Sequence, residues 1–333
     1  MIPFAVAGVQ MNISASQENV SAMKHEVDQV MARFPWVQMI VFSELAAYGP
    51  LPRNHKGSVE LIEGEFAKLA ARYGVWILPG STFEKFDGRL YNTASVINPA
   101  GEVVGRYRKM FPFAPYEAGV DGGTEFLAFD VPGIGRFGVS ICYDIWFPET
   151  TRTLTAMGVE VLLHPVLTGT IDRDVELSIA RATAAMFQCY VFDINGLGAG
   201  GTGRSTVIDP AGTVLYQAGG HQEIIPLEID LEVVRRQRAV GSMGLGQHQK
   251  SFRDRAVDFD VYNRELFDKS YLESLGPLTM PQKGGPAGLE GRGPQRSSRP
   301  GPDNQPGPKR RQRQTRRPVR AAANDLKVRL IGK

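Results

Sequence analysis

The chain has 333 residues, of which 42% are hydrophobic and 22% charged, and its formal net charge is +3. This length is enough for one large domain or two ordinary ones. Two cysteines exclude a disulfide scaffold, and no Cys/His spacing of a metal site is present, so neither a metal nor a cofactor is expected. No apolar run approaches the ~20 residues that span a membrane. With only two cysteines, a reducing cytoplasm is the expected location, and the first residues resemble a strand rather than a signal peptide.

The charge is distributed unevenly. Residues 281–333 contain 14 Lys/Arg and 3 Asp/Glu, whereas the other 280 residues contain 24 and 32. This basic segment is rich in Pro, Gly and Arg and poor in aliphatic side chains, so we predict that residues 276–333 form a disordered tail. Binding of nucleic acid by its basic run (residues 309–317) is an alternative function for the protein. The run has no aromatic side chains for base stacking, and nucleic acid is therefore an unlikely partner.

Apolar runs alternate with helical patterns along residues 1–275. In the first part, strands are predicted at 4–11, 37–42 and 75–82, and helices at 16–34 and 60–73, the first with Ser16 near its cap. Further on, we predict strands at 90–98, 102–107, 136–141, 161–164, 190–194, 205–208 and 213–216, and helices at 149–157 and 174–187. The turn sequence Asn-Pro-Ala-Gly at 98–101 returns as Asp-Pro-Ala-Gly at 209–212. The sequence therefore predicts a layered α/β sandwich with an internal repeat.

Cys142 follows the predicted strand 136–141 directly and precedes a helix whose start is marked by Pro148. The unpaired N–H groups at a helix N-terminus favour a thiolate, which is the nucleophilic form of cysteine. A buried cysteine without chemistry is the alternative interpretation.

Two other chemically useful residues also follow predicted strands. Glu44 comes after the strand 37–42, and Lys109 after the strand 102–107. Taken singly, such residues are usually a solvated glutamate and a surface lysine. Because strand ends are where α/β proteins build sites, we expect both to lie near Cys142. The trio can perform acyl transfer, in which the thiol attacks a carbonyl, the glutamate takes its proton and the lysine stabilises the oxyanion.

Three sequence pieces carry a family resemblance: Ser-Glu-Leu at 43–45 with Gly49 downstream, Tyr-Arg-Lys at 107–109, and Cys-Tyr-Asp-Ile-Trp-Phe-Pro-Glu at 142–149. In these pieces, and across residues 3–240, the chain resembles the nitrilase (carbon–nitrogen hydrolase) superfamily. The resemblance implies an α-β-β-α sandwich and assembly into a homo-oligomer through helices. Residues 241–275 then form a C-terminal arm, which we expect at a subunit interface.

The resemblance also implies roles for individual residues. Glu44 corresponds to the general base, Lys109 to the lysine on the oxyanion side, and Cys142 to the nucleophile that forms a thioester. Glu117 corresponds to a further glutamate that positions the substrate or the lysine. The backbone N–H of Tyr143 corresponds to the second oxyanion donor.

Two positions after the cysteine indicate the kind of reaction. Tyr143-Asp144 stands where nitrilases usually have Trp-Glu, and this favours the amidase-type branch. Trp146 stands where branches acting on carboxylate-bearing substrates have arginine, and tryptophan cannot hold an anion in a bidentate fork. We therefore expect hydrolysis of a small neutral amide. A nitrilase, an N-carbamoyl amidohydrolase and an acyltransferase of the same superfamily are the alternatives.

Further side chains are predicted around the substrate. Phe111, Phe113 and Tyr116, together with Tyr143 and Trp146, predict an aromatic pocket, although each could equally be a core residue. A glycine-rich loop at 195–203 is expected near the rim of that pocket. His164 could face the site, but a structural histidine is the more common case.

Overall fold

Two β-sheets lie face to face at the centre of the molecule, and helices cover their outer faces. The computed structural model describes residues 3–279 except 53, 54, 56–58, 115, 264 and 266. Residues 280–333, which include most of the predicted disordered tail, lie outside that range. In the part of the chain that the structure describes, no helix is long and apolar enough to cross a membrane.

The strands, in chain order, are β1 (Pro3–Gln10), β2 (Asn12–Ile13), β3 (Met39–Phe42), β4 (Trp76–Leu78), β5 (Ser81–Phe86), β6 (Arg89–Ile97), β7 (Val103–Arg108), β8 (Leu127–Val131), β9 (Gly135–Val139), β10 (Val161–Val166), β11 (Tyr190–Asn195), β12 (Leu197–Gly198), β13 (Thr206–Ile208), β14 (Val214–Gln217) and β15 (Glu223–Asp230). The α-helices are α1 (Val20–Arg33), α2 (Val59–Tyr73), α3 (Pro148–Ala156), α4 (Arg173–Phe187), α5 (Leu231–Val240), α6 (His248–Asp254) and α7 (Ser270–Ser274). Short 3-10 helices occur at Cys142–Trp146 and Asp260–Tyr262.

The two large sheets are built alike. The first has the strand order β15-β1-β3-β4-β6-β5, with β7 also paired to β6, and its strands β1, β3 and β4 are parallel. The second has the order β14-β13-β11-β10-β9-β8, with β9, β10 and β11 parallel. Antiparallel strands flank the parallel ones in both sheets. This arrangement confirms the predicted α-β-β-α sandwich.

The hydrophobic residues form three layers because successive residues of a strand point to opposite faces. In β1, Phe4 lies in the cluster between the two sheets, whereas Val9 lies in the cluster under α1 and α2. A third cluster joins α3 and α4 to the outer face of the second sheet. Strands buried on both faces read as continuous apolar runs, which is why they were recognisable in the sequence.

Two predicted elements differ from the structure. Helix α1 begins at Val20 rather than at Ser16, and its N-cap is Asn19. The side chain of Asn19 makes no capping hydrogen bond to the helix. Its Oδ1 accepts a hydrogen bond from the N–H of Ser14 at 2.9 Å, which closes the loop before the helix. The single strand predicted at 75–82 is divided into β4 and β5 at Gly80.

Gly80 fixes the backbone beside the end of β3. Its φ is 77°, and a Cβ atom at this position would lie 1.9 Å from the carbonyl oxygen of Ser43. Only glycine therefore allows the chain to leave β4 so close to the residue preceding Glu44.

We expect Gly80→Ala to destabilise the protein by at least about 2 kcal/mol more than Gly74→Ala. Both glycines have positive φ, so both variants carry backbone strain of about 1–2 kcal/mol. Nothing lies within 4 Å of a Cβ atom at Gly74, so this variant isolates that strain from the clash. Urea unfolding of the three proteins measures the difference, and equal losses of stability would contradict the importance of the close approach.

Candidate active site

The three residues predicted to act together lie together. Nζ of Lys109 is 2.8 Å from Oε1 of Glu44 and 2.6 Å from Oε2 of Glu117. Glu44 and Cys142 lie close enough for each to affect the pKa of the other. All four side chains are buried, with Lys109 only 1% exposed. The structure thus places one ammonium group, two carboxylates and one thiol in a single buried cluster.

Backbone contacts hold these residues at the ends of their strands. Glu44 follows β3 in the first sheet, and its N–H donates to the carbonyl oxygen of Val166 in the second sheet at 3.2 Å. The N–H of Lys109 donates to the carbonyl oxygen of Asn92 in β6 at 2.8 Å. Glu44 and Lys109 therefore follow strands of the first sheet, and Cys142 follows β9 in the second.

Asp144 connects the cysteine turn to the lysine loop. Its Oδ2 accepts hydrogen bonds from the N–H of Ile141 at 2.9 Å and from the hydroxyl of Tyr107 at 2.7 Å. Its Oδ1 accepts from the N–H groups of Met110 at 3.1 Å and Phe111 at 2.9 Å. Burial raises the pKa of Asp144 to about 6, although these donors oppose the shift. The sequence reasoning used Asp144 only as a marker of the reaction type and missed this structural role.

Cys142 occupies a sharp turn. Its φ of 46° lies in the left-handed region, which is uncommon for a residue other than glycine. Sγ lies 3.8 Å from the carbonyl oxygen of Leu167. Strained backbone of this kind is a recurrent feature of active sites, where the surrounding structure maintains it.

The expectation that Cys142 favours the thiolate is wrong for the resting site. Burial raises the pKa of its thiol well above the ordinary value, and the charge of Glu44 raises it further, whereas Lys109 lowers it. Cys142 is the first residue of a 3-10 helix of only 5 residues, which is a short source of helix-end charge. The effect of desolvation on the pKa of the thiol is therefore larger than the opposing effect of Lys109. A thiol in this state needs a base to remove its proton before it can act as a nucleophile.

Glu44 has the properties of such a base. Burial raises the pKa of Glu44 to about 7, opposed by the charge of Lys109 and assisted by that of Glu117. Burial alone lowers the pKa of Lys109, but the negative charges around it, first that of Glu44, raise that pKa well above the ordinary value. Lys109 is thus a permanent cation beside a carboxylate that can exchange a proton near neutral pH.

A cavity of about 520 Å³ opens onto this cluster, a size suited to a small molecule. The residues lining it are Glu44, Leu45, Pro50, Leu51, Pro52, Lys109, Phe113, Tyr116, Glu117, Cys142, Tyr143, Trp146, Leu167, Thr168, Gly169, Thr170, Asp172 and Glu176. The aromatic pocket predicted from the sequence is therefore present, with four of its five aromatic residues on the walls.

Three predicted neighbours of the substrate are not on the cavity walls. Phe111 instead stacks on Phe147, with ring centroids 3.6 Å apart. His164 is fully buried, and its Nδ1 lies 2.7 Å from Oγ of Ser140. Residues 195–203 support the wall from behind, because Asn195 hydrogen-bonds both the N–H and the carbonyl oxygen of Thr168 at 3.0 Å.

Asn92 is a site residue that the sequence reasoning missed. Its Nδ2 donates to Oε1 of Glu44 and to Oε1 of Glu117, each at 2.8 Å. The one available signal was an asparagine inside an otherwise strand-like run, a position where this residue type is uncommon.

Comparisons with known proteins place this geometry in a family. The family model described as carbon-nitrogen hydrolase matches residues 5–239. The chain is 33% identical to the 2-oxoglutaramate amidase of Bacillus subtilis over 50% of this chain and 66% of that protein. It is 28% identical to the deaminated glutathione amidase of Mus musculus over 59% of this chain and 64% of that protein. The match thus spans just under two thirds of the length of these curated relatives.

The fold has solved relatives. The crystal structure of Nit3 from Saccharomyces cerevisiae, a member of branch 10 of the nitrilase superfamily, superposes with a TM-score of 0.64 at 24% identity. The superposition covers 71% of this chain and 93% of the yeast chain. The chain described here belongs to the carbon–nitrogen hydrolase family.

Proposed function

We propose that this protein is a cysteine-dependent amidase that hydrolyses a small neutral amide to a carboxylic acid and ammonia. The observation that carries the proposal is the buried cluster of Cys142, Glu44 and Lys109 at the wall of a cavity of small-molecule size. The amidase names of its relatives support the same reaction class.

The first half of the reaction forms a thioester. Glu44 takes the proton of the Cys142 thiol as Sγ attacks the carbonyl carbon of the amide. The resulting oxyanion lies between the ammonium group of Lys109 and the N–H of Tyr143. When the tetrahedral intermediate collapses, the C–N bond breaks, and Glu44 returns the proton to the nitrogen, which leaves as ammonia.

The second half restores the enzyme. Glu44 takes a proton from a water molecule as the water oxygen attacks the thioester carbonyl. The C–S bond then breaks, the carboxylic acid leaves, and the proton returns from Glu44 to the sulfur of Cys142. The pKa of Glu44, about 7, suits a group that accepts and returns a proton in both halves.

Glu117 positions the lysine in this scheme. Its Oε2 accepts hydrogen bonds from Nζ of Lys109 at 2.6 Å and from the N–H of Phe113 at 2.6 Å. The ammonium group is therefore held from two sides, by Glu117 and by Glu44, and its charge stays fixed near the cavity.

The charges of the cavity support a neutral substrate. Four carboxylates line it, those of Glu44, Glu117, Asp172 and Glu176, and Lys109 is the one cation among its described lining residues. That cation already pairs with two carboxylates. An acyl group bearing a carboxylate would therefore meet repulsion without a free cation, and Trp146 offers an apolar surface instead.

We extend the proposal to a homo-oligomer in the cytoplasm, with residues 241–275 at the subunit interface. Part of this arm lies against its own chain, since Tyr262 donates to Glu149 at 2.9 Å. Other apolar side chains of the arm are exposed, including Met243 and Leu245 at 89% and 78%. A second copy of the chain would cover such residues.

The direct test is ammonia release from neutral amides, carboxylate-bearing amides, N-carbamoyl compounds and nitriles. We expect release from neutral amides, with a loss of at least ~1,000-fold in Cys142→Ala and in Glu44→Gln. Cys189→Ala is the matched control, because this cysteine is also buried but does not line the cavity.

Release from nitriles or N-carbamoyl compounds alone would assign the reaction to those alternatives. Release that persists in Cys142→Ala would contradict the thioester mechanism. Hydroxamate formed when hydroxylamine is added would measure how far the same thioester supports acyl transfer.

A second prediction concerns specificity. We expect Trp146→Arg to raise the ratio of kcat/KM for succinamate to that for butyramide at least ~10-fold, because a guanidinium at this wall can pair with a carboxylate. Trp146→Leu is the control, since it removes the ring without adding a charge. An equal change of the ratio in both variants would show that the shape of the wall, and not its charge, sets the preference.

A further inference from the structure

Asn92 makes an unusual pair of hydrogen bonds at the centre of the site. Its amide nitrogen donates to the proposed base, Glu44, and to Glu117, each at 2.8 Å. The side chain is fully buried on β6. One neutral group thus joins two carboxylates whose charges repel each other.

The opposite end of the same amide has no partner. Oδ1 of Asn92 is buried without a hydrogen bond among the described residues. Asn195 provides the contrast, because its Oδ1 accepts from Thr168 and its Nδ2 donates to the carbonyl oxygens of Thr168 and Gly203. A structural asparagine satisfies both ends in this way. Asn92 instead leaves its acceptor unpaired, and its contacts serve the carboxylates.

The pattern of donors gives the two oxygens of Glu44 different roles. Nδ2 of Asn92 and Nζ of Lys109 both donate to Oε1, each at 2.8 Å. This double contact fixes the rotation of the carboxylate. Oε2 is then the oxygen left to exchange protons with the thiol of Cys142.

We propose that Asn92 is a positioning residue that orients Glu44 and keeps its carboxylate ionised for proton transfer. The inference rests on the proposed role of Glu44 as the base. Hydrogen bonds donated to a carboxylate favour its charged form, so Asn92 opposes the burial and the charge of Glu117 that raise the pKa of Glu44.

The sign of the effect follows from the groups that face Glu44. These are Lys109 after β7, Glu117 in the next loop and Cys142 after β9. None of them is replaced in the Asn92 variants, although Glu117 also loses the hydrogen bond that Asn92 donates. Because the base must be ionised, the activity of the thiol rises with pH through the pKa of Glu44. Loss of the Asn92 donor disfavours the ionised form and moves this rise to higher pH.

The experiment measures alkylation of Cys142 by iodoacetamide as a function of pH, by mass spectrometry, in proteins that carry Cys189→Ala. This probe requires proton transfer from the thiol but no knowledge of the amide. We expect the rise in rate to shift upward by about one pH unit in Asn92→Leu and in Asn92→Asp. Aspartate has the shape of asparagine, but it can donate at most one hydrogen bond, whereas the amide of Asn92 donates one to Glu44 and one to Glu117.

Thr93→Val is the matched control. Thr93 is the next residue of β6 and donates a buried hydrogen bond to a different carboxylate, that of Glu84, at 2.8 Å. We expect no shift of the pH dependence in this variant.

At pH 6, the Asn92 variants should react ~10-fold more slowly than the protein with Asn92 intact, and this difference in rate should shrink as the pH rises.

Each result decides a separate question. A loss of rate that is equal at every pH in both Asn92 variants would show a merely structural role and overturn the inference. A wild-type curve without a rise near pH 7 would contradict Glu44 as the base, and the inference would fail with the proposed function. A wild-type rise that stays in place in the variants would overturn the role of Asn92 alone.

Discussion

The ammonium group of Lys109 is the feature on which the site depends. A charge that is 1% exposed is tolerated only when opposite charges and hydrogen bonds compensate for the lost water. Glu44 and Glu117 supply that compensation from two directions. Removing one partner of such a buried pair typically costs about 3–5 kcal/mol, because the other charge remains uncompensated. The charges of this buried cluster thus also affect the stability of the fold.

The two sheets make different contributions to this cluster. The first sheet provides Glu44, Asn92 and Lys109 at the ends or in the middle of its strands, and the second provides Cys142. Asp144 joins the two parts, because its carboxylate accepts hydrogen bonds from both the cysteine turn and the lysine loop. The placement of Cys142 relative to Lys109 therefore depends on the hydrogen bonds that Asp144 accepts.

The sequence predicted the sandwich because buried parallel strands read as apolar runs. It brought Glu44, Lys109 and Cys142 together because each follows a strand, although the strand before Lys109, β7, is antiparallel. It did not predict the protonation state of Cys142, since that depends on how far the surrounding chain excludes water. It also missed Asn92, because its contacts join residues that are 48 and 25 positions away. Phe111 was assigned to the cavity from its neighbourhood in the chain, whereas its ring stacks on Phe147. Side-chain direction in a loop is decided by packing, which sequence spacing does not reveal.

The most direct test of this account is the mass of the enzyme during turnover of a neutral amide, after rapid quenching in acid. We expect a fraction of the protein to gain the mass of the acyl group, on the peptide that contains Cys142. Added hydroxylamine should remove this mass as the hydroxamate. An acyl group found on any other residue, or ammonia released in amounts equal to the enzyme while Cys142 stays unmodified, would contradict the thioester at the centre of the mechanism.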